Sequence, residues 1–217
     1  MTFRGIPAEA FDFYDGLVAD NSKTYWTANR ATYDDAVRAP LLELLATLEP
    51  EFGPGAIFRP YRDVRFSKDK TPYKDHQGAF VETQDAVGYY VQISAEGLYV
   101  AGGWYDSASV QVARYREIVA GPGGAELERI VTALGKKGYE LGGDVLKTRP
   151  RGVDADHPRL DLLRHRSVVT GHRWEPAVWM SKGSAATRVR DAWRTMQPLV
   201  EWLSAAVGPG DPDRHRR

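Results

Sequence analysis

Residues 89–105, YYVQISAEGLYVAGGWY, decide the fold class, because they place a turn between two apolar runs. Apolar and aromatic residues that favour strands dominate residues 89–93 and 98–101. Glu96-Gly97 lies between the runs and is a turn signal, so the pattern predicts a β-hairpin. A hairpin favours an antiparallel sheet over parallel strands joined by helices.

The segment before the hairpin adds further candidate strands. Residues 57–66 alternate β-type apolar side chains with charged ones, and Ala79-Phe80-Val81 is a short apolar run. We therefore expect an antiparallel sheet of about four strands within residues 56–105.

Helical periodicity lies on both sides of this region. Apolar residues recur at helical spacing in residues 7–19, 41–48, 110–119, 127–134 and 185–206, and Asn21-Ser22 can cap one more helix. The order helices, sheet, helices predicts an α+β fold, with the sheet packed by N-terminal and C-terminal helices. We expect a single domain over residues 1–207 and a flexible tail at 208–217. The expected core includes Phe11, Leu45, Phe66, Val91, Leu134, Trp193 and Leu203.

The composition of the 217-residue chain excludes several classes of protein. It contains no cysteine, which rules out disulfides, thiol catalysis and cysteine-ligated metal centres. Lys plus Arg equals Asp plus Glu at 29 each, so no overall positive field supports nucleic-acid binding. The N-terminal residues lack an apolar signal run, and no stretch is apolar enough to span a bilayer. We therefore expect a cytoplasmic protein with no membrane partner.

Residues 59–76, RPYRDVRFSKDKTPYKDH, form a strongly charged segment. It has six cations and three carboxylates, a formal charge of +3. Guanidinium groups match phosphate and carboxylate oxygens, and a hydroxyl or the N–H groups of a turn can add donors. The segment is therefore predicted to bind an anion through Arg59, Arg62, Arg65, Ser67, Lys68, Lys70 and Lys74.

Strand alternation would place Arg59, Tyr61, Asp63 and Arg65 on one face of the segment, and Arg62, Val64 and Phe66 on the other. The alternative to anion binding is a solvated edge strand whose charges prevent strand pairing, with Asp63 neutralising a neighbouring arginine. The aromatic residues between the charges indicate partial burial, and buried arginines need partners.

A second polar cluster lies in the Pro- and Gly-rich residues 147–159. His157 is the candidate acid–base group, because histidine titrates near neutral pH. Asp154 and Asp63 are the other catalytic candidates, and Lys147 joins the ligand-binding set. The alternative is that Asp156-His157-Pro158 caps the helix containing Leu160–Leu163. The two interpretations are compatible, since a helix N-terminus also attracts anions.

Other site motifs do not occur in the sequence. There is no HExxH, and a metal site built from Asp63, Asp154 and His157 would have no signature, so no metal is expected. P-loop, dinucleotide and serine-nucleophile motifs are missing, so no cofactor is expected. Aromatic residues on the predicted strands fit core or cross-strand packing better than base stacking; they are Tyr89, Tyr90, Tyr99, Trp104 and Tyr105.

Three stretches resemble the bacterial and fungal family called domain of unknown function 2461. The most distinctive is RDVRFSKDKTPYK at residues 62–74, followed by LKTRPRGVDADHPRLDLLR at 146–164 and DNSKTYWTANRATYD at 20–34. The matches are spread over most of the chain. The resemblance implies which segments matter, without assigning a role to any residue.

The sequence therefore favours a protein that binds a small phosphorylated or carboxylated ligand. The expected cleft is lined by the Arg/Lys-rich segment and the Asp/His loop, because residues 147–157 bring the carboxylates that residues 62–74 lack. Whether the protein is an enzyme stays open, since no nucleophile–base–orienter grouping is visible. The alternatives are a module that recognises an acidic or phosphorylated peptide, and a nucleic-acid binder with local charge only. The oligomeric state is not specified by the sequence.

Overall fold

The computed structural model describes residues 2–65 and 68–210 and contains one antiparallel sheet. Its strands are β1 Gly55–Ile57, β2 His76–Gln84, β3 Val87–Ser94, β4 Gly97–Trp104, β5 Glu140–Gly142 and β6 Val168–Trp174. Their order across the sheet is β1-β2-β3-β4-β6-β5. The α+β class and the antiparallel sheet are thus confirmed.

Helices precede, interrupt and follow the strands. The first group is α1 Glu9–Ala19, α2 Lys23–Ala28, α3 Arg30–Thr32, a π-helical turn Tyr33–Arg38 and α4 Ala39–Phe52. The later ones are α5 Ser109–Ala120, α6 Gly124–Gly135, α7 Leu160–Leu163, a 3₁₀ turn Val178–Ser181 and α8 Ala185–Val207. The Ser22 hydroxyl caps α2 by accepting a hydrogen bond from the Tyr25 N–H at 3.1 Å, as its residue type predicts.

The predicted hairpin is β3 and β4, with Ala95 and Glu96 in the turn between them. Gly97 opens β4 at φ +107°, a conformation that favours glycine. A Cβ at this position would also lie 2.1 Å from the carbonyl oxygen of Trp174. Glycine is therefore required both by the backbone and by the neighbouring chain.

The expected number of strands is corrected from about four to six. Four strands lie at residues 55–104, but β5 and β6 lie outside the predicted range. β5 has three residues in a Gly-rich stretch, too few for a periodic signal, and Leu141 pairs with Thr170 of β6.

The strand expected over residues 59–65 does not form. Only Tyr61 in this range pairs, in an isolated antiparallel bridge with Tyr73. Pro60 has no N–H to donate to a ladder. In addition, the Asp63 carboxylate accepts the Arg65 N–H at 3.2 Å, a local turn that competes with strand pairing.

Most of the expected core residues are buried. Phe66 lies outside the described residues; the buried ones are Phe11, Leu45, Val91, Leu134, Trp193 and Leu203. None of the helices in the described part of the chain combines the length and apolarity needed to cross a membrane.

The described chain divides into two compact units. Unit 1 holds the residues up to Val81, with Tyr90–Val100 and Arg173–Asp191. Its core includes an aromatic cluster in which Trp26 stacks on Tyr73, with ring centroids 4.3 Å apart. The expectation of a single domain stays a prediction.

Unit 2 holds Glu82–Tyr89, Ala101–His172 and the residues from Ala192 onward. Its core includes Trp193, stacked on Tyr89 at 5.3 Å. At its C-terminal end, Gly208 O accepts a hydrogen bond from Gln111 Nε2 at 3.0 Å. Residues 211–217 of the expected flexible tail lie outside the described residues.

Candidate functional site

The charged segment connects β1 to β2 and includes the first residue of β2; we call it the cationic loop (residues 58–76). The Arg62 N–H donates to Pro72 O at 2.9 Å, and the Lys74 N–H donates to Pro60 O at 2.8 Å. These bonds flank the Tyr61–Tyr73 bridge and close the base of the loop.

A side chain from the connection between α1 and α2 holds the same base. Asn21 Nδ2 donates to Tyr73 O at 3.0 Å, and Asn21 Oδ1 accepts the Tyr73 N–H at 3.1 Å. The amide thus pairs with the loop backbone as a neighbouring strand would. Trp26 lies against Tyr73 and, at 5.9 Å between ring centroids, against Tyr61.

Among the described residues, the three carboxylates of the cationic loop pair with Arg62 and Arg65. Arg65 makes a bidentate pair with Asp63, with Nε–Oδ1 at 3.0 Å and Nη2–Oδ2 at 2.6 Å. These bonds hold the pKa of Asp63 at about 2. Arg62 contacts Asp69, and its Nη2 lies 3.4 Å from Asp75 Oδ2. Asp63 is therefore an ionised partner of Arg65, as the edge-strand interpretation proposed.

The remaining cations of the loop have no carboxylate within 4 Å among the described residues; these are Arg59, Lys68, Lys70 and Lys74. Lys70 Nζ donates to Val64 O at 2.9 Å. Lys74 Nζ lies 5.3 Å from the centre of the Phe58 ring. Partial burial, then the positive charges of Arg59 and Arg62, lower the pKa of Lys74. Local positive charge therefore collects around Lys74.

An acid–base pair lies where the loop enters β2. His76 Nδ1 is 2.7 Å from Asp75 Oδ1. Burial alone would raise the pKa of Asp75, but the hydrogen bond with His76 and the charges of His76 and Arg62 outweigh it and lower this pKa. An ionised carboxylate only accepts hydrogen bonds, so Nδ1 of His76 carries the proton. In the neutral form of the ring, Nε2 holds the lone pair, which is the arrangement of an oriented general base.

Buried polar groups support the loop from the helical side. Tyr33 Oη donates to Gln77 Oε1 at 2.6 Å, and Gln77 Nε2 donates to Phe58 O at 2.6 Å. Burial raises the pKa of Tyr33 to about 12, so this hydroxyl stays a donor.

Tyr14 is fully buried, its pKa is raised by burial, and its hydroxyl has no hydrogen-bond partner among the described residues.

The second predicted cluster lies in unit 2, in a segment that ends with α7 and that we call the second loop (residues 146–164). Its base is closed by the Leu146 N–H donating to Arg164 O at 2.9 Å, beside a Val145–His165 bridge. Arg159 Nε donates to Val119 O at 2.7 Å and Nη2 to Gly121 O at 2.8 Å, at the C-terminal end of α5. Its guanidinium thus caps a helix.

His157 has a local role in this loop. Its Nδ1 accepts the Arg159 N–H at 3.0 Å. Arg159 is itself the N-cap of α7 and no side chain caps this helix, so the predicted capping by Asp156-His157-Pro158 is corrected to a local turn before it. Lys147, Asp154 and Asp156 are exposed. A cleft shared between this loop and the cationic loop stays a prediction.

The structure brings together only part of the predicted ligand-binding set. The positive charges of Arg59 and Arg62 act on Lys74, Arg65 is paired with Asp63, and Ser67 lies outside the described residues. Sequence reasoning gave His76 little weight and missed Asn21 as a contact of the loop. The adjacency of Asp75 and His76 was a visible signal. Within residues 2–65 and 68–210, no three His, Asp or Glu side chains gather as a metal site.

Comparison with known proteins places the chain in a family. The profile described as "Conserved hypothetical protein (DUF2461)" matches residues 9–202, and the chain belongs to this family. A search of curated proteins finds no match. The match includes the whole cationic loop and the whole second loop.

Proposed function

We propose that the protein binds a small phosphorylated or carboxylated anion at the cationic loop. The observation that carries this proposal is the unequal pairing of charges. All three carboxylates of the loop pair with Arg62 and Arg65, while Arg59 and Lys74 have no carboxylate within 4 Å among the described residues. Phosphate and carboxylate oxygens complement such cations.

Lys74 is the central ligand in this proposal. Its ammonium is partly buried and repelled by Arg59 and Arg62, so an anion between these groups would relieve an existing cost. Arg59 and Lys74 would bind the anion directly. Arg62 would contribute charge while keeping Asp69 and Asp75 in place. His76 Nε2 would accept a proton from the ligand, so the same site offers acid–base chemistry if the protein is an enzyme.

The test is isothermal titration with phosphate and with sulfate, at constant ionic strength. Lys74→Met and Arg59→Met should each weaken binding roughly 10-fold or more, since a hydrogen bond to a charged group contributes about 1.5–3 kcal/mol. Lys136→Met is the matched control, because Lys136 is an exposed lysine at the end of α6. It should leave the affinity unchanged.

Three results would contradict this function. They are no measurable binding of either anion, equal losses in Lys74→Met and Lys136→Met, and unchanged binding in both loop variants. Binding of a phosphorylated peptide without binding of inorganic phosphate would instead favour the interaction module.

A further inference from the structure

A row of aromatic side chains begins beside Lys74 and crosses one face of the sheet in unit 1. The Phe58 ring centroid lies 6.3 Å from that of Tyr90, which lies 6.2 Å from that of Tyr99. Arg173 closes the far end, 5.1 Å from the Tyr99 ring. The row therefore has the unpaired cations at one end and a guanidinium at the other.

Strand alternation places this row on the sheet face opposite the N-terminal helical region of unit 1. Gln77, Ala79 and Val91 are buried, and Gln77 reaches Tyr33 of the N-terminal helical region. Tyr90 and Tyr99 point the other way and are half-buried. Gly78 has no side chain there, and a Cβ would lie 2.3 Å from Tyr90 Oη, so glycine admits the Tyr90 ring.

Phe58 is the exposed member of the row, with 38% of its surface accessible. One exposed aromatic residue is ordinary. Phe58, however, lies directly against Lys74 and continues into rings that are themselves partly covered. A bare inorganic ion would contact the cations and leave this ring in water.

A polar group lies next to the rings. Tyr90 Oη donates to Gln92 Oε1 at 2.8 Å, which orients the Gln92 amide with its NH₂ group as the remaining donor. An amide held beside an aromatic ring can read the polar edge of a planar ligand.

We propose that the natural ligand is a phosphate ester that also carries a planar aromatic ring, of which a nucleoside monophosphate is the simplest example. The phosphate binds between Arg59 and Lys74, and the ring packs on Phe58. This inference rests on the proposed anion-binding function and adds the chemical class of the ligand. The positive charges of Arg59 and Lys74 favour a phosphate group in the ligand. The exposed Phe58 ring beside them favours an aromatic group.

The test compares three probes by isothermal titration: inorganic phosphate, ribose 5-phosphate and adenosine monophosphate. Stacking a base on an aromatic side chain should make adenosine monophosphate bind roughly 5- to 100-fold more tightly than ribose 5-phosphate. Phe58→Leu keeps an apolar side chain but removes the ring. It should remove most of that difference, and continued binding of inorganic phosphate shows that the variant is folded.

Tyr105→Leu is the matched control, because Tyr105 is also an exposed aromatic residue, at 48%. It should bind all three probes as the wild type does. Lys74→Met should weaken all three together.

Two results would overturn the inference while leaving anion binding intact: equal affinity of the two esters for the wild type, or an unchanged difference in Phe58→Leu. If none of the three probes binds, the anion-binding function fails and this inference fails with it.

Discussion

Removing one hydroxyl from Tyr14 or from Tyr33 should change stability in opposite directions. Both side chains are buried, at 0% and 2% exposure. The Tyr14 hydroxyl has no hydrogen-bond partner among the described residues, whereas that of Tyr33 donates to Gln77. The two Tyr→Phe substitutions are chemically identical, so the hydrogen bond is the difference between them.

The magnitudes follow from the cost of unpaired buried groups. Tyr14→Phe removes a hydroxyl that loses water on folding without gaining a partner, so the free energy of unfolding should rise by about 1 kcal/mol. Tyr33→Phe leaves the buried Gln77 Oε1 without its donor, so the free energy of unfolding should fall by about 1–3 kcal/mol. For a chain of this length, each kcal/mol corresponds to about 2–4 °C in Tm.

Urea unfolding followed by circular dichroism measures both changes, provided that the m-value is unchanged. Tyr33→Phe should also weaken phosphate binding, because Gln77 holds the carbonyl of Phe58 at the start of the cationic loop. Tyr14→Phe should leave phosphate binding unchanged. A loss of more than about 1 kcal/mol in Tyr14→Phe would refute the reasoning, since it would show that this hydroxyl is hydrogen-bonded in solution.

Three more predictions concern the cationic loop. Asn21→Ala removes both hydrogen bonds to the Tyr73 backbone, so it should lower the free energy of unfolding by about 1–3 kcal/mol. It should also speed hydrogen exchange at the Tyr73 amide, and unchanged protection of that amide would contradict this prediction. Phosphate affinity should fall as pH rises through the lowered pKa of Lys74, whose ammonium is the binding form; in Lys74→Arg the affinity should persist at that pH. Nitrogen NMR at a pH where His76 is neutral should show the ring proton on Nδ1. Asp75→Asn should remove the preference of this proton for Nδ1. A proton on Nε2 in the wild type would exclude the general-base arrangement.

The sequence predicted the elements whose formation depends on residues close to one another in the chain. The hairpin followed from two apolar runs on either side of the turn signal Glu96-Gly97, and the Ser22 cap followed from its residue type. β5 was missed because a three-residue strand carries no period, and its register depends on pairing with β6. The strand predicted over residues 59–65 was wrong, because the proline and aspartate chemistry of the loop outweighed the alternation.

The candidate site was predictable in location but not in detail. The excess of six cations over three carboxylates identified the segment, but composition cannot show which cation pairs with which carboxylate. Arg62 reaches Asp69 and Asp75 only because the loop folds back on its own base. The role of Asn21 depends on a contact 52 residues away in sequence, which a single sequence does not reveal.

Because the base of the cationic loop is closed, the register of the sheet does not depend on the length of this loop. The bridge between Tyr61 and Tyr73 and the two hydrogen bonds from Asn21 hold both ends of the loop in place. These contacts do not involve the residues between the two tyrosines. Loop-closure entropy grows slowly, about 0.6 kcal/mol for each doubling of length, so insertions near the tip should be tolerated. A new recognition sequence could therefore be inserted after Arg65, where it would leave Arg62 in place and β2 in its alignment.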